Sequence, residues 1–423
     1  MADVSDPTPA QSEAARAADA AARRSYGKLV AFLAARTRDV AGAEDALSEA
    51  FAAALSDWPV QGVPRSPDAW LLTVARRRMI DALRRRRLGE DAAEHLRLLG
   101  ELAADEVEEP HVPDERLRLL FACAHPAIEP GVRAPLMLQA VLGFDAATIA
   151  SAFLVSPSAM SQRLVRAKTK IREAGISLEV PLRGALRERL DAVLEAIYAA
   201  YAEGWSDPQG CDALRRNLAE EAIWLGRLLA SLLPEEGEAL GLLSLMLHAH
   251  ARRHARRSPQ GDYVPLAEQD PATWDEALID EAEALLARAN RCEGIGRYRL
   301  EAAVQSAQAA RRHAPSADWR AIVQLYDALC ALTGSPVAGL NRAVALAQTQ
   351  GARAGLEALD ALGEHARLAD YQPYWAARAE LLARLGRLDD AHAAYSQAIG
   401  LERDPAVRQF LQRRQAALHK DPS

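Results

Sequence analysis

A cluster of arginine is the first feature of the sequence that could do chemistry. The thirteen residues ARRRMIDALRRRR, at positions 75–87, contain seven arginines and one carboxylate, although the whole chain has a formal net charge of −7. Guanidinium groups donate paired hydrogen bonds to phosphate oxygens, so this density of arginine is typical of a surface that holds a nucleic-acid backbone. The alternative is a solvated helix face, because only four of the 51 basic residues are lysines and arginine runs arise easily in such a chain.

Helical periodicity favours nucleic-acid contact over a solvated face. At 100° per residue, one side of the helix consists of Leu72, Ala75, Met79 and Leu83. Trp70 and Val74 fall on the opposite, arginine side, where a purely solvated surface has little use for them. A surface that grips phosphates and receives unstacked bases needs both kinds of group. The predicted contacts on this helix are Trp70, Val74, Arg77, Arg78, Arg84 and Arg85.

A second candidate nucleic-acid element is GFDAATIASAFLVSPSAMSQRLVRAKTKIREAG, at 143–175, which has the pattern of a helix-turn-helix. Ser156 is a good N-cap with Pro157 after it, so the second helix is predicted to begin there. Its predicted buried stripe is Met160, Leu164, Ala167 and Ile171. The predicted DNA-facing residues supply short polar groups for base edges and cations for phosphates: Ser158, Ser161, Gln162, Arg163, Arg166, Lys168 and Lys170. An ordinary helical hairpin is the alternative.

The elements that position these residues are predicted to be helices throughout. The chain has 423 residues, half of them apolar and only 5% aromatic, which favours an all-α fold with two or three domains. Three prolines and Gly62 are predicted to break the helix within DWPVQGVPRSPDAW, at 57–70. Widely spaced cysteines, no signal-peptide pattern and no long apolar run predict a soluble cytoplasmic protein without membrane contact.

Other residues that could do chemistry are weaker candidates. His250 and His254 lie four residues apart and could share a metal, but His248 points elsewhere and no acid or cysteine nearby completes the set. Solvated histidines are therefore predicted. Cys123 and His125 are predicted to pack rather than to form a catalytic pair. No phosphate loop or nucleophile motif is found, so no catalytic residue, metal or cofactor is predicted.

Taken in order, three segments resemble the sigma-70 family, specifically its small extracytoplasmic-function group, over about residues 25–178. AGAEDALSEAFAAAL, at 41–55, is similar to the family's polymerase-binding segment. AWLLTVARRRMIDALRRRR, at 69–87, is similar to the helix that engages the −10 promoter element, and FDAATIASAFLVSPSAMSQRLVRAKTKIR, at 144–172, is similar to the −35-reading domain. The expected partners are thus core RNA polymerase, through its β′ clamp helices and β flap, and promoter DNA.

The resemblance assigns roles to individual residues. The residues implied to dock on the β′ clamp helices are Glu44, Asp45, Glu49, Phe51 and Leu55. The loop 57–68 would form the pocket for a base flipped out of the −10 element. Many relatives carry asparagine at the position of Arg77, so the base-reading role of that asparagine is not transferred to the arginine.

The resemblance also divides the chain. The expected parts are an N-terminal tail (1–24), a region 2 domain (25–88), an acidic linker (89–113), a region 4 helix-turn-helix domain (114–178) and a helical extension (179–423). The extension resembles a tetratricopeptide array, clearest at 317–418, where the matching residues are Trp375, Ala379, Leu382, Ala391, Tyr395 and Ala398. A subgroup of these sigma factors carries such an extension, which would regulate activity and hold a partner, or the chain's own sigma domains, in its groove. The alternative function is a helix-turn-helix regulator or scaffold that acts without core polymerase.

Overall fold

A computed structural model describes residues 9–85, 114–153, 155–181, 183–205, 213–313, 316–362 and 366–418. Over these ranges the chain is all-α, as predicted, with one isolated β-bridge between Arg257 and Tyr263. The chain forms two compact units: residues 1–205 with 217–221, and residues 206–216 with 222–423. In the described ranges no helix is both long enough and apolar enough to cross a membrane.

The first unit consists mainly of eight helices in the described residues. They are α1 (Pro9–Thr37), α2 (Val40–Gln61), α3 (Pro67–Arg85), α4 (Arg116–Cys123), α5 (Pro130–Leu142), α6 (Ala146–Ala152), α7 (Pro157–Glu173) and α8 (Arg183–Trp205). Helix α1 packs against α2 and α3, and also against α4 and α5. It begins at Pro9, so it extends well into the segment predicted as a tail. The acidic linker lies outside the described residues.

The second unit is a longer series of helices. They are α9 (Ala213–Leu232, of which residues 217–221 belong to the first unit), α10 (Gly237–Ala251), α11 (Glu276–Ala289), α12 (Arg297–Ala309), α13 (Trp319–Thr333), α14 (Pro336–Thr349), α15 (Ala352–Asp360), α16 (Ala366–Ala369), α17 (Gln372–Arg384), α18 (Leu388–Leu401) and α19 (Pro405–Ala417). Of the residues that match the repeat pattern, Trp375 is partly buried and the others are buried in one cluster between α14 and α19.

The boundary predicted at residue 178 precedes α8, and in the structure α8 packs with the first unit against α4 and α5. The guanidinium Nη2 of Arg189 donates to the carbonyl oxygen of Phe121, at 2.8 Å, and so ties α8 to the end of α4. Helix α8 therefore packs as part of the first unit rather than beginning the second unit.

The helix breaks inside the predicted segment 57–70, but Pro59 is not the residue that ends it, because α2 continues through this proline to Gln61. Proline removes one backbone donor, which leaves the carbonyl four residues earlier, at Leu55, without its usual helical partner. That residue is 52% exposed, and its position near the end of α2 keeps the cost small. The helix ends instead at Gly62, whose positive φ of 85° suits glycine and whose N–H donates to the carbonyl of Trp58 at 2.9 Å. The loop that joins α2 to α3 therefore spans only 62–66.

Candidate nucleic-acid interface

Helix α7 has the two-sided construction that its sequence predicts. The Ser156 side chain accepts from the N–H of Ala159 at 3.3 Å, which confirms the predicted N-cap, and Pro157 is the first helical residue. The predicted stripe is buried in full: Met160, Leu164, Ala167 and Ile171. This stripe fixes which side of α7 faces solvent.

The exposed side of α7 carries most of the residues predicted to face DNA. They are Ser158, Ser161, Gln162, Arg163, Arg166 and Lys170, with Val165 among them at 58% exposure. Lys168 is placed differently, since only 10% of its side chain is exposed and its Nζ donates to a carboxylate oxygen of Glu44. The structure therefore brings six of the seven residues onto one accessible surface and turns the seventh toward α2.

Helix α6 is the first helix of the predicted helix-turn-helix. Asp145 precedes α6 and accepts from the N–H groups of Ala147 and Thr148, both at 2.9 Å, and from the Thr148 hydroxyl at 2.6 Å. These hydrogen bonds, led by the Thr148 hydroxyl, hold the pKa of Asp145 below its usual value, so the capping group is a carboxylate. A charged cap fixes the start of α6, which packs against α7 and positions it.

A cleft of about 240 Å³ runs beside the basic side of α7. Its lining includes Arg163, Arg166 and Lys170 from α7, and Glu129 and Val132 from the start of α5. Three cations against one carboxylate make the cleft a favourable place for an anion such as a phosphate.

Helix α3 exposes only part of its arginine side. Leu72, Ala75 and Met79 are buried, as predicted. Arg77 and Arg78 are exposed. The side chains of Leu83, Arg84 and Arg85 lie outside the described residues, so their predicted orientations and contacts stay predictions.

Two arginines of α3, Arg76 and Arg78, contact neighbouring helices. The Nε of Arg78 lies 3.3 Å from a carboxylate oxygen of Glu49 on α2, and both side chains are more than half exposed. Arg76, which the periodicity places near the apolar side, lies with its guanidinium 5.3 Å from the ring centre of Phe32 on α1. A cation over an aromatic face explains how arginine is accommodated there.

The two apolar residues on the arginine side of α3 are half-buried. Trp70 meets Trp58 of α2 edge to face, with ring centres 5.5 Å apart and an interplanar angle of 67°. Trp58 is buried, whereas Trp70 and Val74 keep part of their surface accessible. The Ser25 hydroxyl donates to Asp68 at 2.7 Å and anchors the first turn of α3 on α1. Trp58 supports Trp70 but was missed from sequence, because no periodicity relates residues on either side of a loop.

Not all of the residues implied to bind polymerase are accessible on α2. Asp45, Glu49 and Leu55 are exposed and Phe51 is half-buried, which leaves an acidic and apolar surface along α2. Glu44 is different, because it is 8% exposed and paired with Lys168. Burial raises the pKa of the Glu44 carboxyl even though the Lys168 ammonium lowers it. A second pair joins the same two helices, with the guanidinium of Arg172 3.8 Å from the Asp39 carboxylate.

Cys123 and His125 have the surroundings of packing residues. Cys123 is fully buried, and burial strongly raises the pKa of its thiol, which disfavours the thiolate that nucleophilic chemistry needs. The Nδ1 of His125 accepts from the N–H of Ala127 at 3.1 Å and shapes the turn after α4.

The prediction of solvated histidines is wrong for His248 and His250, which are 2% and 8% exposed. Helix α10 is apolar on almost every side and packs against both α11 and α12, so these positions face neighbouring helices. The sequence reasoning also missed an acid, because a carboxylate oxygen of Glu283 lies 3.5 Å from the His248 Nε2. Burial lowers the pKa of each imidazole to about 4. Within the described ranges, no three potential metal-ligating side chains converge.

Comparison with known proteins finds two family matches along the chain. The sigma-70 region 2 family matches residues 22–88, which contain most of α1 and all of α2 and α3. A family of unknown function, DUF6596, matches residues 189–290. An uncharacterized protein of Rhizobium meliloti (strain 1021) is 39% identical over 387 residues, which cover 90% of this chain and 91% of the relative. No solved structure matches the chain.

Proposed function

We propose that the chain is a sigma-70 family promoter-specificity subunit of the extracytoplasmic-function group, because residues 22–88 match the sigma-70 region 2 family. It binds core RNA polymerase through α2, reads the −35 element through α7 and opens the −10 element with α3 and the 62–66 loop. Initiation begins where both elements are matched. This role agrees with an acidic chain whose positive charge is concentrated on local surfaces, because an acidic remainder limits indiscriminate binding to DNA.

The exposed side of α7 is the observation that carries the proposal. Gln162 and Ser158 are short enough to reach base edges when the helix lies in a major groove, and Arg163, Arg166 and Lys170 flank them toward phosphates. The buried stripe and two capped helix starts hold this surface in one orientation. A chain that recognises both promoter elements needs one DNA-binding element for each. Here the proposed −35 recognition helix follows the region 2 domain proposed to bind the −10 element.

Opening the −10 element depends on binding energy rather than covalent chemistry. Unstacking a base costs a few kcal/mol, and stacking on an aromatic side chain returns about 1–3 kcal/mol. Trp70 suits this purpose because its edge-to-face contact with Trp58 orients one ring while part of it stays accessible. Exposed Arg77 and Arg78 add phosphate contacts on the same helix.

In vitro transcription tests the proposal. Purified full-length protein is added to core RNA polymerase on fragments of the source genome, and start sites are mapped. We expect discrete starts that core polymerase alone does not produce, with shared sequences about 10 and 35 base pairs upstream, as the sigma role requires. Binding to core polymerase without any start, or no binding at all, contradicts the proposal.

A helix-turn-helix regulator that acts without polymerase is the second candidate, and one observation favours it. The exposed side of α7 is accessible in the free chain, whereas Glu44 of the polymerase-binding helix is not. This candidate predicts specific duplex binding by the protein alone, at a Kd of about 10⁻⁸ M or lower at physiological salt. Electrophoretic mobility shifts with and without core polymerase separate the two candidates.

We also propose that the second unit regulates the first and that its repeat-like helices hold a protein segment. Stacked hairpins such as α17 with α18 bury one another's small residues and leave a groove on the array. A chain that ends after Trp205 keeps α8 and its contact with α4, so it is the informative truncation. The transcription activity of this truncated chain should differ from that of the full chain. Equal activity would contradict a regulatory role for the second unit.

A further inference from the structure

The cleft between the start of α5 and the basic side of α7 has an apolar floor. Three of its lining residues, Ile128, Val132 and Ala167, are buried and form this floor. A phosphate of the DNA backbone needs cations and N–H donors but makes no use of buried apolar side chains. The floor suits a ligand that carries a short carbon skeleton beside its charged group.

The cations that line the cleft are available to a ligand. Within the ranges described above, the side chains of Arg163, Arg166 and Lys170 form no ion pair or hydrogen bond. Lys168 and Arg172, on the other flank of α7, are both paired with carboxylates. Spacings of three and four residues place the three available cations on one stripe of the helix. A phosphate group in the cleft is therefore attracted by all three.

One carboxylate lines the same cleft and restricts the kind of ligand. Glu129 is the N-cap residue of α5, yet its side chain makes no capping hydrogen bond. A carboxylate accepts hydrogen bonds and does not donate them, so it repels a phosphate placed directly beside it. A ligand with a hydroxyl group a few atoms away from its phosphate can donate to Glu129 while the cations hold the phosphate.

The rim of the cleft is held in place without a ligand. The N–H of Ile128 donates to the carbonyl of His125 at 2.8 Å, and the Nε of Arg133 donates to the carbonyl of Ile128 at 3.0 Å. A preformed rim lowers the entropy that binding costs. The cleft volume of about 240 Å³ is below the roughly 300–1,000 Å³ of sites for drug-sized molecules, so a small ester fits it best.

We propose that this cleft binds a small phosphate ester that carries a hydroxyl group, and that this ligand competes with promoter DNA. Its phosphate lies against Arg163, Arg166 and Lys170, and its hydroxyl donates to Glu129. The competition rests on the proposed function, which assigns the same three cations to DNA phosphates. Ligand binding by the free chain does not depend on that function.

Three variants separate the features of the cleft. Ala127 is an exposed residue of the rim, so the ring in Ala127→Phe narrows the cleft without removing a cation. Ala331→Phe is the matched control, because it makes the same substitution at an exposed position of α13 in the second unit. Glu129→Gln keeps the size of the side chain and removes its charge.

The first experiment titrates the full-length proteins, without polymerase, with glycerol 3-phosphate or inorganic phosphate at constant ionic strength in a calorimeter. For the wild type we expect a Kd for glycerol 3-phosphate at least about 10-fold below that for inorganic phosphate, because its hydroxyls add a hydrogen bond to a charged group. Ala331→Phe should keep both values, and Ala127→Phe should raise the glycerol 3-phosphate Kd at least about 10-fold. Glu129→Gln should bind inorganic phosphate more tightly and bring the two Kd values together.

Three results would overturn the assignment of the cleft. They are no saturable binding of glycerol 3-phosphate, equal Kd values for both ligands in the wild type, and unchanged binding by Ala127→Phe that circular dichroism shows to be folded. If Ala127→Phe does not fold, the selectivity of Glu129→Gln decides instead, and an unaltered ratio of its two Kd values counts against the proposal.

The second experiment tests the competition. Anisotropy of a labelled promoter fragment with the protein and core polymerase is measured with glycerol 3-phosphate or with sodium chloride of equal ionic strength. At a ligand concentration ten times its own Kd, the promoter Kd should rise about 11-fold for the wild type and Ala331→Phe, but much less for Ala127→Phe. A ligand that binds the free chain but leaves the promoter Kd unchanged overturns the competition. If no promoter binding occurs even without the ligand, the proposed function fails, and the titration of the free chain still tests the cleft.

Discussion

Removing the exposed cations of α7 should reduce the salt dependence of promoter binding by a calculable amount. The helix carries five basic residues, but Lys168 is paired with Glu44 and Arg172 lies beside Asp39. Arg163, Arg166 and Lys170 remain on the exposed side. Each phosphate contact contributes about 0.9 to the slope of log K against log salt concentration, so the triple alanine variant should lose about 2.7 units of slope.

The same figure can be expressed as affinity. Raising the salt concentration from 50 to 200 mM lowers the binding constant of both proteins. With a slope smaller by about 2.7 units, the factor by which it falls is roughly 40 times smaller for the variant than for the wild-type protein. The fold should survive, because all three side chains are exposed and the buried stripe of α7 is untouched. Fluorescence anisotropy of a labelled promoter fragment, bound by the protein with core polymerase over this salt range, gives both slopes.

A charge-matched control distinguishes local contact from overall charge. Arg384, Arg387 and Arg413 are exposed arginines of the second unit, and their replacement by alanine changes the net charge equally. The control should keep the wild-type slope. An unchanged slope in the α7 variant, or an equal reduction in the control, would refute the assignment of these three cations to phosphates.

Three further predictions test individual residues. Gln162→Ala should cost about 1–3 kcal/mol at one base pair of the −35 element in binding to a duplex library, and uniform weakening at every position would exclude base reading. His248 has a folded pKa near 4 and an unfolded pKa near 6.5, so the stability it contributes is complete above pH 6.5 and is lost as the pH falls toward 4. Thermal melts should show a smaller loss of Tm between pH 7.5 and 5 in His248→Asn, and equal losses would contradict this. Gly241→Ala puts a Cβ 2.7 Å from the Arg299 backbone nitrogen and should destabilise the second unit by about 1–3 kcal/mol in urea, whereas Gly400→Ala, with nothing within 4 Å, should not.

The parts of the interface that sequence predicts are those set by local forces. The cap of α7 depends on Ser156 and a donor three residues away, and its stripe depends on spacings of three and four residues. Both are contained in one short segment, so periodicity and capping rules are sufficient to predict them. The buried side of α3 follows from the same periodicity.

The features that the sequence does not predict depend on contacts between residues that are far apart along the chain. Glu44 and Lys168 are 124 residues apart, and each taken alone has the pattern of a solvated charge on a helix. Periodicity also fails at α10, because a helix that is apolar on nearly every side has no solvent face on which to place His248. Helix periodicity says which side is buried but does not identify the element that covers it.

The buried ion pair between Glu44 and Lys168 contributes little net stability by itself. Removing two charges from water costs several kcal/mol per ion, and their attraction returns about the same amount, so such a pair adds little net stability. Losing only one partner is far more costly, since the other charge is left buried and unpaired. Replacing only one of Glu44 and Lys168 should therefore destabilise the first unit more than replacing both with apolar residues, which chemical denaturation of the single and double variants measures.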